Sequence, residues 1–188
     1  MPGVSTLGLL VPIAGTGEPH LTLDEQISSW FLQWREELYR YVIAAGGRPA
    51  VAEEITQEAF LRLYTSLRDE KSIPHPRFWL YRVAHNLLID QSRKADTVHS
   101  VSLPEEESDP DYFSDIAPSP EQTAIDRQRL QRVQAAMGSM TMMQRNCLYL
   151  RAEGFLNREV AQILGIGMSS VADALRRAIR RLEKAGYE

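Results

Sequence analysis

The feature that most constrains the fold is a stretch without Lys or Arg, from Ala95 to Asp126, within a chain of 188 residues. It carries nine acidic residues, and its Ser- and Pro-rich part, 96–119, has little hydrophobic periodicity. Such a composition buries too little apolar surface to fold by itself, and its like charges repel each other. The chain is therefore predicted to form two small domains, 21–95 and 120–188, joined by an acidic flexible linker, with a flexible tail at 1–20.

Both predicted domains have apolar residues at three- and four-residue steps, which is typical of helices. In the first domain, Thr22–Glu25 has capping-box spacing, Gly46-Gly47 ends the first helix, and Pro49 suits the first turn of a second. A third helix is predicted from about Arg77 to Lys94. No useful strand-like alternation occurs, so the fold class is all-α.

The second domain contains further helix starts. Ser119–Gln122 and Thr141–Gln144 have capping-box spacing, and Asn157 offers another cap. The single cysteine, Cys147, excludes an internal disulfide and a cysteine-rich zinc site, and we expect a buried, unreactive thiol.

A helix-turn-helix is predicted at 157–182. A short helix, 158–164, meets a turn at 165–167, and a second helix starts at Ser169 or Ser170. Ala161 is small where the two helices cross, Gly165 permits a positive φ, and Val171 seats the second helix. The predicted inward stripe of this second helix is Val171, Leu175, Ala178 and Leu182.

Charge supports DNA binding by this domain, because 127–188 holds 11 basic and 5 acidic residues although the whole chain has a net charge of -4. Ala172, Asp173 and Ala174 are expected on the exposed face, where they weaken base reading. A helical hairpin with a solvated basic face is the alternative. The candidate DNA contacts are Ser169, Ser170, Ala172, Asp173, Arg176, Arg177 and Arg180.

Two segments of the first domain carry further candidate sites. The segment 77–94 interleaves aromatic and basic residues, which suits unstacked single strands, although the aromatic residues could simply be core. The second helix, around 53–64, has an acidic polar face opposite its apolar one, and by periodicity alone this is a solvated face.

With these motifs, the chain resembles the extracytoplasmic-function group of bacterial sigma factors over about 21–94 and 122–182. The resemblance implies that the helix around 54–60 docks on the clamp of the largest subunit of RNA polymerase, through Glu54, Gln57, Glu58 and Phe60. It implies that the third helix melts and reads the minus-ten promoter element, after a loop at 72–77 that holds a flipped base. Together with the basic residues of the segment 77–94, the candidate residues for this element are Arg77, Trp79, Arg82, Asn86, Arg93 and Lys94.

The same resemblance implies that the helix-turn-helix binds the minus-thirty-five element and the flap of the second-largest subunit. The acidic linker would run toward the active-site cleft and the RNA exit path. This chain departs from the family at Ala172-Asp173-Ala174, because members usually carry a basic residue directly after the valine. Either the upstream element therefore has an unusual sequence, or DNA shape and phosphate contacts dominate its recognition.

Three functions from different classes stay open at this point: a sigma factor, a helix-turn-helix regulator acting without polymerase, and a sigma-like decoy that binds an anti-sigma protein. An enzyme is not expected, since the four histidines are scattered and no phosphate loop or nucleophile–base spacing occurs. We expect no cofactor and no metal. We also expect no membrane insertion, a cytoplasmic location, and control by an anti-sigma protein.

Overall fold

The computed structural model describes residues 22–98 and 124–187, apart from the side chains of 95–98, 124–127, 130 and 187. All regular secondary structure in these ranges is helical, which confirms the all-α class. The predicted tail, most of the acidic linker and the Ser119–Gln122 cap lie outside the described residues. The helices are α1 (Leu23–Ala44), α2 (Pro49–Arg68), α3 (Pro76–Val98), α4 (Ala124–Gly138), α5 (Met142–Ala152), α6 (Asn157–Leu164) and α7 (Met168–Tyr187).

Helix α1 begins and ends where its sequence predicts. The Thr22 hydroxyl accepts from Glu25 N at 3.3 Å, and the Glu25 carboxylate accepts from Thr22 N at 2.8 Å, forming the capping box. After the helix, Gly46 has φ 97°, a left-handed conformation that glycine adopts without strain. Pro49 then occupies the first turn of α2, as predicted.

Helices α1, α2 and α3 pack together as a three-helix unit. Helix α3 begins at Pro76, one residue earlier than predicted, and continues to Val98, beyond the predicted end at Lys94. The first turn of a helix tolerates proline because its N–H groups have no intrahelical partner. The core of this unit is apolar and includes Leu38, Val42, Ala52, Ile55, Ala59, Leu63, Leu80 and Ala84.

Helices α4 to α7 form a second, four-helix unit. Thr141 and Gln144 form the predicted capping box of α5. Asn157 is the first residue of α6 and not its cap; Leu156 precedes the helix, and its N–H donates to the Glu159 carboxylate at 2.7 Å. The Glu159 carboxylate therefore binds the N–H that precedes the helix, and no side chain caps the N–H groups of the first turn as an Asn cap would.

The predicted helix-turn-helix is present, and its second helix, α7, begins at Met168, one residue before the predicted start. Gly165 has φ 65°, and Ile166 N donates to Ala161 O at 3.0 Å, which closes the end of α6. Val171 is fully buried and seats α7, and Ala161 is buried where the two helices meet.

The two units lie against each other and share one hydrophobic core, in what we call the closed arrangement. At the junction, the Tyr81 and Phe155 rings meet edge-on at 4.8 Å, and the Tyr41 and Tyr149 rings lie 5.8 Å apart. Such aromatic pairs each contribute about 0.5–1.5 kcal/mol beyond the area that they bury. The sequence does not predict this junction, because its partners are far apart along the chain.

Candidate nucleic-acid and polymerase interfaces

Helix α7 separates its apolar and polar residues onto opposite faces. Three residues of the predicted inward stripe, Val171, Leu175 and Ala178, are buried, and the fourth, Leu182, is half-buried. Ser169, Asp173, Arg176 and Arg180 follow each other at steps of three and four residues on the exposed side. These side chains therefore form one polar stripe, which we call the α7 stripe. Arg177 and Ser170 are exposed beside it.

The residues after Val171 differ from their predicted placement. Ala174 was expected on the exposed face, but it is 6% exposed and belongs to the core. That prediction is wrong because position 174 lies three residues after Val171, on the same side of the helix. Ala172 is half-buried and offers little surface. Of the three positions, only Asp173 is fully available for contact.

The charge of Asp173 is compensated within its own helix. Arg176 donates to Asp173 Oδ1 at 2.6 Å, and both side chains are more than half exposed. An exposed i,i+3 pair of this kind contributes little to stability. It nevertheless places a guanidinium beside the carboxylate, so the repulsion that Asp173 exerts on a phosphate is reduced.

Helix α3 has two polar surfaces that the sequence does not separate. Arg82, Asn86 and Arg93 are exposed and lie at steps of four and seven residues, with half-buried Trp79 one turn before Arg82. We call this set the α3 stripe. Lys94 is also exposed, close to the end of the stripe. Five of the six residues implied for the minus-ten element thus lie together.

Arg77 is the sixth, and the structure places it elsewhere. Its guanidinium donates to Glu37 Oε2 at 3.0 Å, to Glu153 Oε2 at 2.5 Å and to Glu153 O at 2.8 Å. The prediction that Arg77 faces DNA is wrong for the closed arrangement, because the guanidinium is bound between the two units.

The outer face of α2 carries the predicted polymerase contacts. Glu54 and Gln57 are exposed, and Glu58 is half-exposed and accepts from Arg62 at 2.7 Å. Leu61, which the sequence reasoning did not single out, lies on the same face and is 60% exposed. Its position, four residues after Gln57 and three after Glu58 on the same helix, is the sequence signal that could have marked it.

Phe60 does not belong to this face. It is 4% exposed, and its ring meets Phe31 of α1 edge-on at 5.0 Å. The prediction that Phe60 contacts a partner directly is wrong, because the side chain points into the core of the three-helix unit. It holds α2 against α1 and so positions the outer face.

Gln57 is oriented by its neighbours. Its amide donates to Glu53 Oε1 at 3.1 Å, and Arg35 of α1 donates to the same carboxylate at 3.0 Å. The hydrogen bond from Gln57, followed by that from Arg35, lowers the pKa of Glu53. The outer face of α2 is therefore a polar network with fixed contacts.

A second network, at the junction, was missed by the sequence reasoning. Glu37 of α1 and Glu153, directly after α5, both bind Arg77, and the Tyr149 hydroxyl donates to Glu37 O at 3.2 Å. Burial, and then the neighbouring Glu37, raises the pKa of the Glu153 carboxyl, while Arg77 opposes the shift. No sequence pattern marks such partners, which come from opposite ends of the chain.

Within the described residues, no group of His, Cys, Asp and Glu could hold a metal ion. None of the helices in those ranges is long and apolar enough to cross a membrane.

Known proteins resemble the chain in both sequence and fold. The family model "Sigma-70 region 2" matches residues 30–98. The ECF RNA polymerase sigma factor SigE of Mycolicibacterium smegmatis is 28% identical over 151 residues, covering 80% of this chain and 57% of that protein. SigX of Bacillus subtilis is 23% identical over 163 residues, covering 86% of this chain and 84% of that protein. SigL of Mycobacterium tuberculosis is 29% identical over 148 residues, covering 77% of this chain and 80% of that protein.

Solved structures show the same fold. The sigma factor RpoE of Bartonella quintana, in complex with the anti-sigma factor NepR, superposes with a TM-score of 0.57 at 17% identity, over 85% of this chain and 96% of that one. CnrH, in complex with the cytosolic domain of CnrY, superposes with a TM-score of 0.51 at 19% identity, over 86% of this chain and 87% of that one.

Proposed function

We propose that this chain, which belongs to the extracytoplasmic-function sigma factors, directs bacterial RNA polymerase to specific promoters and initiates transcription there. The observation that carries the proposal is the pairing of two outward polar stripes, on α3 and α7, on separate helical units. A regulator that acts without polymerase needs only the helix-turn-helix, and it leaves the α3 stripe and the outer face of α2 unexplained.

For the upstream element, we propose that α7 enters the major groove. Ser169, near its amino end, and Arg180, one of its exposed arginines, are positioned for base edges and phosphates. Because Asp173 is paired with Arg176, phosphate contacts and DNA shape are expected to contribute more than base reading. The proposed upstream contacts are Ser169, Ser170, Asp173, Arg176, Arg177 and Arg180.

For the minus-ten element, we propose that the α3 stripe receives the melted strand. Trp79 supplies a partly exposed ring on which a base can stack, and Arg82 and Arg93 follow the backbone. Asn86, one turn after Arg82, has an amide that can donate to and accept from a base edge. The rest of α3 fixes this stripe, since Leu80 and Ala84 are fully buried.

For polymerase, we propose the outer face of α2, with Glu54, Gln57 and Glu58 as polar contacts and Leu61 as an apolar one. Burial of a leucine at an interface contributes about 1.5–3 kcal/mol. The proposed domain bounds are 21–95 for polymerase and minus-ten binding, 96–119 for the linker and 120–188 for upstream binding. We propose an anti-sigma protein as the regulator, since the structurally similar RpoE of Bartonella quintana binds the anti-sigma factor NepR.

Run-off transcription with purified polymerase core and a library of genomic fragments tests the proposal. We expect promoter-specific transcripts that need both this chain and the core enzyme. A regulator acting alone shifts duplex DNA without core, and a decoy binds an anti-sigma protein but gives no transcript. Either result would overturn the proposal.

Charge reversal on α2 tests the polymerase face separately. We expect Glu54→Lys with Glu58→Lys to weaken core binding about tenfold or more, because two attractive charges become repulsive. The matched control is Glu36→Lys with Asp24→Lys, two exposed acidic residues of α1, which should keep the affinity for core. Equal affinities of the two double variants for core would mean that the outer face of α2 is only solvated and does not bind polymerase.

A further inference from the structure

The junction between the two units centres on one guanidinium. Arg77 of α3 binds Glu37 of α1 and Glu153 after α5, so a single side chain connects three segments. The guanidinium also lies over the Phe155 ring at 5.0 Å and the Tyr81 ring at 5.5 Å. The Arg77 side chain is 29% exposed, so its ionic contacts are only partly screened by water.

An apolar layer lies beneath this ionic cluster. Tyr41 packs on Tyr81 and Tyr149 from the two units. Burial, and then the neighbouring Cys147 and Tyr149 of α5, raises the pKa of the Tyr41 hydroxyl. Cys147, the only cysteine of the chain, is therefore buried beside a residue of the other unit.

The closed arrangement is too small for two promoter elements. Elements centred near positions ten and thirty-five lie about 25 base pairs apart, roughly 85 Å along B-form DNA at ~3.4 Å per base pair. A compact chain of this length has a radius of gyration of about 16 Å. If the proposed function holds, the two units must therefore separate before both stripes can reach their elements.

We propose that Arg77, Glu37 and Glu153 form a latch that holds the chain closed and keeps Arg77 away from DNA. Opening the latch breaks the junction and frees Arg77, which lies in the first turn of α3, on the side of the helix opposite Asn86. The same arginine thus serves the closed state through carboxylates and the open state through DNA phosphates or a base. The consequence for DNA rests on the proposed function, whereas the latch itself does not.

The buried thiol of Cys147 provides the test on the full-length chain. Burial raises its pKa to about 11, so the closed chain should react slowly with iodoacetamide. We expect Arg77→Ala to speed alkylation about tenfold and to increase the radius of gyration measured by small-angle X-ray scattering. The matched control is Arg40→Ala, which removes an exposed ion pair with Glu36 on α1 and should leave both measurements unchanged.

Two more variants separate an ionic latch from simple packing. The exchange Arg77→Glu with Glu153→Arg should restore slow alkylation, because opposite charges again meet at the junction. The milder Tyr149→Phe removes only the hydroxyl that binds Glu37 O and should speed alkylation two- to threefold. Circular dichroism verifies that each variant stays helical. Unchanged alkylation and radius in both Arg77→Ala and Tyr149→Phe, or failure of the exchange to slow the reaction, would overturn the latch.

These measurements use neither polymerase nor promoter, so the latch and the proposed function can fail separately. Fast alkylation of Arg77→Ala supports the latch even if the wild-type chain gives no transcript with core. Conversely, active transcription by a chain whose Cys147 reacts equally fast in all variants removes the latch and keeps the sigma-factor function.

Discussion

Helices α3 and α7 both carry arginines at their surfaces, but α7 is buried along one side and α3 along two. In α7, Val171 and Ala178 face the core, and the opposite side is free. In α3, Leu80 and Ala84 are fully buried, while Tyr81 packs on Phe155 of the second unit and His85 on Tyr41 of α1. A helix that is buried along one side shows its functional side by periodicity, whereas a helix that is buried along two sides uses some of its polar and aromatic residues as structure.

The strongest challenge to this comparison is charge reversal on the free side of α7. We expect Arg176→Glu with Arg180→Glu to weaken upstream-promoter binding by the holoenzyme about a hundredfold, because each phosphate or base contact is worth about 1–3 kcal/mol. Fluorescence anisotropy with an upstream duplex measures the loss. The affinity for core should stay the same, and an unchanged DNA affinity would mean that α7 is a solvated helix.

On α3, a smaller effect is expected from one residue of its stripe. Asn86→Ala should lower open-complex formation about tenfold, since one base contact worth about 1–3 kcal/mol is lost. Permanganate footprinting of the melted strand measures it. Core binding should be intact, because Asn86 is exposed and lies on α3, away from the outer face of α2. Equal footprints would remove Asn86 from the reading of the minus-ten element.

A third prediction concerns the negative charge of Asp173 on the exposed side of α7. Asp173→Ala removes a negative charge and frees Arg176, so we expect upstream binding to strengthen about threefold and to depend more steeply on salt. A titration at several salt concentrations gives both quantities. Weaker binding by the variant would indicate instead that Asp173 accepts from a cytosine amino group.

The smallest expected effect comes from the buried side of α3. Burial lowers the pKa of His85 from 6.5, and its Nδ1 lies 2.9 Å from the Tyr41 hydroxyl. A lowered pKa means that the unfolded chain binds the proton more readily, so His85 contributes stability that is lost as the pH falls below 6.5. Thermal melts between pH 7 and 5 should fall less steeply for His85→Gln than for the wild type.

The contribution of Glu153 to the pH dependence of stability has the opposite sign to that of His85, so the two contributions must be separated. Its raised pKa favours the folded form as the pH falls toward 4.5, because the folded state then takes up the proton more readily. The difference between wild type and His85→Gln isolates the histidine. A difference that does not change with pH would show that His85 has the same pKa in the folded and the unfolded chain.

The local features of the fold could be predicted from the sequence because their causes lie within a few residues. The capping boxes at Thr22 and Thr141, the positive φ of Gly165 and the burial of Val171 all follow from adjacent residues. The same reasoning placed Glu54 and Asn86 on exposed sides of their helices.

Two of the predictions that failed concern contacts between distant segments of the chain. Periodicity did not show that Phe60 faces Phe31, and a motif for DNA contact did not show that Arg77 binds Glu153, 76 positions further along. For Ala174, the error came from treating three consecutive residues as one exposed face, although a helix turns about 100° per residue. The placement of Phe60 and Arg77 therefore depends on long-range contacts, whereas that of Ala174 follows from helix geometry.

The shared core has a practical consequence for a chain that is cut in two. Because Tyr81 packs on Phe155 and Tyr41 on Tyr149, the junction does not need an intact peptide connection. A protease site inserted between residues 99 and 123 should therefore yield two fragments that elute together from a sizing column. High salt or the removal of the Arg77 side chain should make the two fragments dissociate more readily.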